Sequence, residues 1–142
     1  MYIERSIDSL LLEWKNSKSL KPLLLRGARQ VGKSWAVKHL GESFDYFIEV
    51  NFEKRPDMKD IFEKVHDAHE LAQSIGMLYN KPVIPGKTLI FLDEIQGCFA
   101  AIKSLWSFKE DFPGLHVVAA GSLLEFALKE LPSFGVGRIR SL

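Results

Sequence analysis

The sequence predicts an α/β protein built on a parallel β-sheet. Short apolar runs of strand length alternate along the chain with helix-like stretches, and a glycine-rich segment joins the first of these runs to a helix. Strands that alternate with helices form parallel sheets through right-handed crossovers, with helices on both faces. Four strands can be assigned, and residues 138–142 have the composition to begin a fifth.

The elements are predicted in chain order from hydrophobic periodicity and from proline and glycine punctuation. They are a helix over 3–16, a strand over 22–25, a helix over 35–40, a strand over 46–53, a helix over 57–79 with room for an interruption, a strand over 88–92, a helix over 99–112, a strand over 115–120 and a helix over 123–130.

Length and composition are those of one soluble globular domain: 142 residues, 46% hydrophobic and 26% charged. The net charge of +1 does not indicate a nucleic-acid surface. No apolar run approaches the roughly 20 residues of a membrane span, so no membrane partner is expected. The single cysteine, Cys98, excludes an internal disulfide and suits a reducing compartment. We therefore expect a cytoplasmic protein.

The glycine-rich segment carries the clearest chemical signal. Gly27, Gly32, Lys33 and Ser34 fit G-x-x-x-x-G-K-[ST], the Walker A phosphate-binding loop, and lie between a strand and a helix as that loop requires. Its backbone N–H groups and the helix N-terminus face an anion, while the lysine reaches the β- and γ-phosphates and the serine ligates Mg²⁺. The predicted nucleotide-binding residues are Gly27, Ala28, Arg29, Gln30, Val31, Gly32, Lys33, Ser34 and Trp35.

Two carboxylates follow the most apolar of the predicted strands. Asp93 and Glu94 come directly after Leu89–Leu92, at the carboxyl end of a buried strand, where ligands bind in open α/β sheets. Asp93 fits the Walker B carboxylate, which would hold Mg²⁺ together with Ser34. Glu94 has two interpretations: a general base that activates water for attack on the γ-phosphate, or a solvated charge at a strand end.

Other P-loop chemistries are less favoured. Guanine recognition commonly uses Asn-Lys-x-Asp, but Asn80-Lys81 is followed by Pro82-Val83, so the aspartate is missing. A small-molecule kinase would need an acceptor pocket and mobile arginines that cannot be located. The carboxylate pair therefore favours hydrolysis of ATP.

The sequence resembles the AAA+-like ATPases with an AAA_14-type domain, which is often joined to a DUF4143 region. The resemblance covers nearly the whole chain and rests on four strings: residues 26–34, 48–53, 92–96 and 120–125. It implies a P-loop NTPase fold of the additional-strand type, with sheet order 5-1-4-3-2. The matching segment is then an ATPase core over 1–142 that stops at or within strand 5, before the family's helical lid and C-terminal domain. That would leave the first strand with an unpaired edge.

The resemblance also implies roles for three residues outside the loop. Ser122 falls at the sensor-1 position near the γ-phosphate, although it would serve equally well as an N-cap of the helix after it. Asn51 matches a polar residue that restrains the catalytic glutamate. Arg138 follows Gly137 in a segment like the family's Phe-Pro-Val-Gly-Arg, with Gly135 in place of the proline. It is either an arginine finger for a neighbouring copy, which implies a homo-oligomer, or the partner of a surface carboxylate.

Two functions remain open from the sequence. The first is an ATP- and Mg²⁺-dependent ATPase, with Glu94, Lys33, Ser122, Asn51 and Arg138 as the catalytic residues. The second is an interaction module that switches on binding ATP or ADP and hydrolyses it negligibly. The sequence names no protein partner.

Overall fold

The computed structural model describes residues 2–26, 31–121 and 140–141, and these form a three-layer α/β fold. In chain order the elements are α1 (Tyr2–Lys15), β1 (Leu23–Arg26), α2 (Val31–Gly41), β2 (Tyr46–Asn51), α3 (Met58–Lys64), α4 (Ala68–Tyr79), β3 (Thr88–Asp93), a 3₁₀ turn (Ile95–Gly97), α5 (Phe99–Asp111), β4 (His116–Gly121) and β5 (Arg140–Ser141).

The sheet is parallel throughout and has the order β2-β3-β4-β1-β5. This is the expected order 5-1-4-3-2 counted from the other edge, so the fold-class prediction is confirmed. The expectation that β1 has an unpaired edge is wrong at two positions, because Leu23 pairs with Arg140 and Leu24 with Ser141.

Each strand contributes alternate side chains to two separate cores, because successive residues of a strand point to opposite faces. In β3, Leu89 and Phe91 pack with residues of α1 and α2, while Ile90 and Leu92 pack with residues of α3, α4 and α5. All six residues of β3 are buried. A strand that is covered on both faces has a continuous apolar sequence, which explains why β3 does not alternate between apolar and polar residues.

The predicted helix over 57–79 is two helices. Val65 is extended, at φ −108° and ψ 115°, and ends α3. Asp67 then caps α4, since its side chain accepts a hydrogen bond from the Glu70 backbone N–H at 2.9 Å. Within the described residues, no helix is long and apolar enough to cross a membrane.

Strand β2 ends two residues earlier than expected. The Asn51 side-chain oxygen accepts hydrogen bonds from the Glu53 and Lys54 backbone N–H groups, at 2.9 and 3.0 Å. These bonds form a turn that begins at Phe52, so Phe52 and Glu53 lie outside the strand. The predicted helix over 123–130 lies outside the described residues.

Candidate active site

Four chain segments meet at the carboxyl edge of the sheet. In the parallel register Asn51 of β2 lies opposite Asp93 of β3, and Arg26 of β1 lies opposite Gly121 of β4. Helix α2 begins five residues after Arg26, at Val31. The edge thus gathers the start of a helix and the ends of four parallel strands, the usual position of a ligand site in such sheets.

Ser34 and Asp93 contact each other at this edge. The Ser34 hydroxyl donates a hydrogen bond to Asp93 Oδ2 at 3.4 Å, across 59 positions of sequence. Ser34 lies in the first turn of α2. The two residues assigned from sequence as metal ligands are therefore neighbours in space.

Asp93 is held in a buried environment and is only 5% exposed. Burial raises the pKa of this carboxyl, and the negative charges of Glu94 and Glu49 raise it further. Hydrogen bonds from the Glu94 backbone N–H, at 2.9 Å, and from Ser34 oppose the rise in the pKa. A carboxylate that is costly to ionise without a cation is suited to binding one.

Glu94 has an unusual backbone conformation. It lies in the left-handed region, at φ 53° and ψ 44°. Among the described non-glycine residues only Asn80, which caps the end of α4, shares a positive φ. A left-handed residue other than glycine costs about 1–2 kcal/mol, and such strain concentrates at functional sites. Here it turns the chain sharply at the end of β3 and leaves the Glu94 side chain half-buried.

Gln96 is the residue that holds the Glu94 carboxylate. Its side-chain Nε2 donates a hydrogen bond to Glu94 Oε1 at 2.8 Å. Asn51, for which the family resemblance implies a restraining role, has its side-chain oxygen in the turn after β2 instead. The role of Asn51 toward Glu94 stays a prediction, whereas Gln96 was missed altogether by the sequence analysis.

Gly121 is the second residue missed. A Cβ at this position would collide with Gln96 Oε1 and lie 3.2 Å from the Ile95 backbone nitrogen. The end of β4 therefore packs directly against the 3₁₀ turn, and only glycine fits without displacement there. The sequence feature that could have identified Gly121 is a glycine at the end of a fully buried strand.

The remaining predicted site residues are only partly described. Trp35 follows Ser34 on α2, is 53% exposed and stacks on His39 with ring centroids 5.3 Å apart. Helix α2 begins at Val31, four residues before the predicted start at residue 35, so Val31, Gly32 and Lys33 belong to its first turn. The predictions for Gly27, Ala28, Arg29, Gln30, Ser122 and Arg138, and for the side chains of Val31 and Lys33, lie outside the described part of the structure.

Comparison with known families identifies the family of the chain. Residues 19–142 match the model of the AAA_14 family, which is described as an AAA domain. The chain belongs to this family. As an AAA domain it is a nucleotide-binding module of the AAA+ type. No curated protein matches it.

Among solved structures, the AAA domain is similar to the Aeropyrum pernix Orc1 protein, whose structure was determined in complex with DNA. The TM-score is 0.56 at 16% sequence identity, and the match covers 97% of this chain and 43% of the Orc1 chain. At this identity the similarity shows the fold alone, and the AAA domain spans less than half the length of that protein.

Proposed function

We propose that this AAA domain binds ATP with Mg²⁺ and hydrolyses it. The observation that carries the proposal is the contact between Ser34 Oγ and Asp93 Oδ2, which joins the Walker A serine to the Walker B aspartate at 3.4 Å. Separate matches to two sequence patterns could arise by chance. Their meeting at the carboxyl edge of a parallel sheet is what nucleotide binding requires.

The donor set fits Mg²⁺. A hydroxyl and a carboxylate are oxygen ligands, which this ion prefers, and it usually takes one or two protein ligands beside waters and phosphates. Ser34 and Asp93 would hold it, and it would neutralise charge on the β- and γ-phosphates. Residues 27–33 would surround the phosphates with backbone N–H groups, and Lys33 would add a fixed positive charge.

Glu94 would act as the general base. Its carboxylate would accept a proton from water as the water oxygen attacks the γ-phosphorus and the bond to ADP breaks, leaving ADP and phosphate. Asp93 would then serve the metal and Glu94 the attacking water. Ser122 and Arg138 keep the roles implied by the family, near the γ-phosphate and in a neighbouring copy.

Phosphate release tests the proposal. Glu94→Gln should bind ATP normally and hydrolyse it about 10²-fold or more slowly, the scale of a lost general base. Glu63→Gln is the matched control, because Glu63 is exposed on α3 and lies outside the site. Equal rates for Glu94→Gln and the parent protein would show that Glu94 is an ordinary strand-end charge.

The alternative function is a switch module that binds nucleotide and hydrolyses it negligibly. In that function Glu94 is an ordinary charge at the end of β3, and its contact with Gln96 at 2.8 Å has no catalytic role. A single-turnover measurement separates the two functions: the enzyme releases phosphate from bound ATP within minutes, whereas the switch retains intact ATP over the same period.

The same proposal places the protein in the cytoplasm, where the buried Cys98 thiol would stay reduced. Its partner would be a second copy that supplies Arg138 to the first.

A further inference from the structure

Gln96 lies between the candidate base and the end of a neighbouring strand. On one side its Nε2 donates to Glu94 Oε1 at 2.8 Å. On the other side its Oε1 approaches Gly121 so closely that a Cβ there would collide with it. The side chain therefore spans the gap between the carboxyl ends of β3 and β4.

The turn that carries Gln96 is itself fixed. Ile95 is buried, and its backbone oxygen accepts a hydrogen bond from the Cys98 N–H at 2.9 Å, which closes the 3₁₀ turn that carries Gln96. Gln96 Oε1 is itself buried and has no hydrogen-bond partner among the described residues. A buried acceptor left unpaired is costly, and the hydrogen bond that the other atom of the amide donates to Glu94 offsets part of this cost.

Glu94 needs such a contact because its own backbone does not fix its carboxylate. The left-handed turn sets where the side chain leaves the chain, but a glutamate still has three rotatable bonds beyond that point. A single donor on Oε1 restrains the position of that oxygen and leaves Oε2 for a second partner. A donor from a neutral amide does this without neutralising the negative charge that a base requires.

We propose that Gln96 is a positioning residue for ATP hydrolysis, which holds Glu94 Oε1 so that Oε2 faces the attacking water. The inference rests on the proposed hydrolysis and adds to it the residue that orients the base. Because Gln96 also packs on Gly121, one residue before Ser122, a displacement of the β4 end would be transmitted to Glu94 through this amide.

Two substitutions separate the donor from the volume of the side chain. Gln96→Ala removes both, whereas Gln96→Glu keeps the length but places an acceptor where the donor was. We expect both to lower kcat by about 10- to 100-fold, the scale of a misplaced catalytic group, with KM and the dissociation constant for ADP unchanged. Gln73→Ala, at an exposed glutamine of α4, is the matched control and should keep the parent rate.

The loss of rate caused by Gln96→Ala should disappear when Glu94, the proposed base, has already been replaced. In a Glu94→Gln background, single-turnover rates with and without Gln96→Ala should agree within about twofold, because residues that act through one group are not additive. Equal losses in both backgrounds, or a Gln96→Glu variant at the parent rate, would overturn the positioning role and leave the proposed ATPase intact. A parent protein with no turnover would instead overturn the proposed hydrolysis and this inference together.

Discussion

Asp93→Asn should stabilise the nucleotide-free protein while weakening its response to Mg²⁺. The amide can keep both contacts of the carboxylate, because its oxygen accepts from the Glu94 N–H and its nitrogen can donate to Ser34 Oγ. What it removes is the charge of a residue that is only 5% exposed and that Glu94 and Glu49 repel. Removing such a group typically gains about 0.5–2 kcal/mol of unfolding free energy.

Thermal unfolding measures both effects. For a domain of this size the gain corresponds to a Tm about 2–8 °C above the parent. Parent protein with MgADP at about 100 times its dissociation constant should gain about 2.7 kcal/mol, and the variant should lose the part of that gain that depends on Mg²⁺. Asp45→Asn, at an exposed aspartate before β2, should behave as the parent does in every condition.

The pH dependence of stability gives an independent test of whether the Asp93 charge destabilises the folded protein. Since the pKa of Asp93 is raised in the folded protein, the folded state binds the proton more tightly than the unfolded state does. The stability of the parent relative to Asp93→Asn therefore falls as the pH rises from the pKa of Asp93 in the unfolded chain toward its higher pKa in the folded protein. The lost stability is recovered in acid. The Tm difference between the two should close as pH is lowered below 7 toward that range. A variant less stable than the parent at pH 7, or a full Mg²⁺ response in the variant, would refute this reasoning.

Three further predictions concern residues of the loop and the chain end. Lys33→Ala should abolish measurable ATP binding in calorimetry, because the phosphates lose their fixed cation, whereas Lys38→Ala on the same helix should bind normally; unchanged affinity in Lys33→Ala would refute its assignment. Trp35 is exposed beside Ser34, so ADP or ATP should change its fluorescence, and a Trp35→Phe variant with the same change would place the signal elsewhere. Arg138→Ala should leave affinity intact but lower turnover, by up to the roughly 10³–10⁵ of fingers supplied in trans, and mixing it with Glu94→Gln protein should restore hydrolysis. Failure to restore it in a demonstrably mixed oligomer would remove the finger role.

Local pattern was enough to predict most of the fold. Fully buried runs such as β3 stand out by composition, and parallel pairing follows from the helices between them. The division of the predicted 57–79 helix also had a local signal, since Asp67 followed three residues later by Glu70 is typical of a helix start.

The site was predictable where a sequence motif fixes the spacing of its residues. It was not predictable where tertiary contacts fix the position of a side chain. Ser34 and Asp93 were assigned from sequence, and the structure brings them together. Gln96 could not be assigned, because its contact with Glu94 depends on a left-handed turn that propensity disfavours and on the close approach of Gly121 from another strand. Asn51 was placed correctly at a strand end, but its side-chain contacts are set by the local turn that follows.

The measurement that tests the central claim most directly is calorimetric titration of ADP with and without Mg²⁺, on the parent protein and on Ser34→Ala. If Ser34 and Asp93 hold the metal, the parent binds ADP more tightly with Mg²⁺, whereas Ser34→Ala loses that gain and keeps the affinity measured in EDTA. Ser74→Ala, on α4, controls for the loss of a helical hydroxyl. A Ser34→Ala variant that retains the full Mg²⁺-dependent gain would contradict the assignment of this edge of the sheet as a metal–nucleotide site.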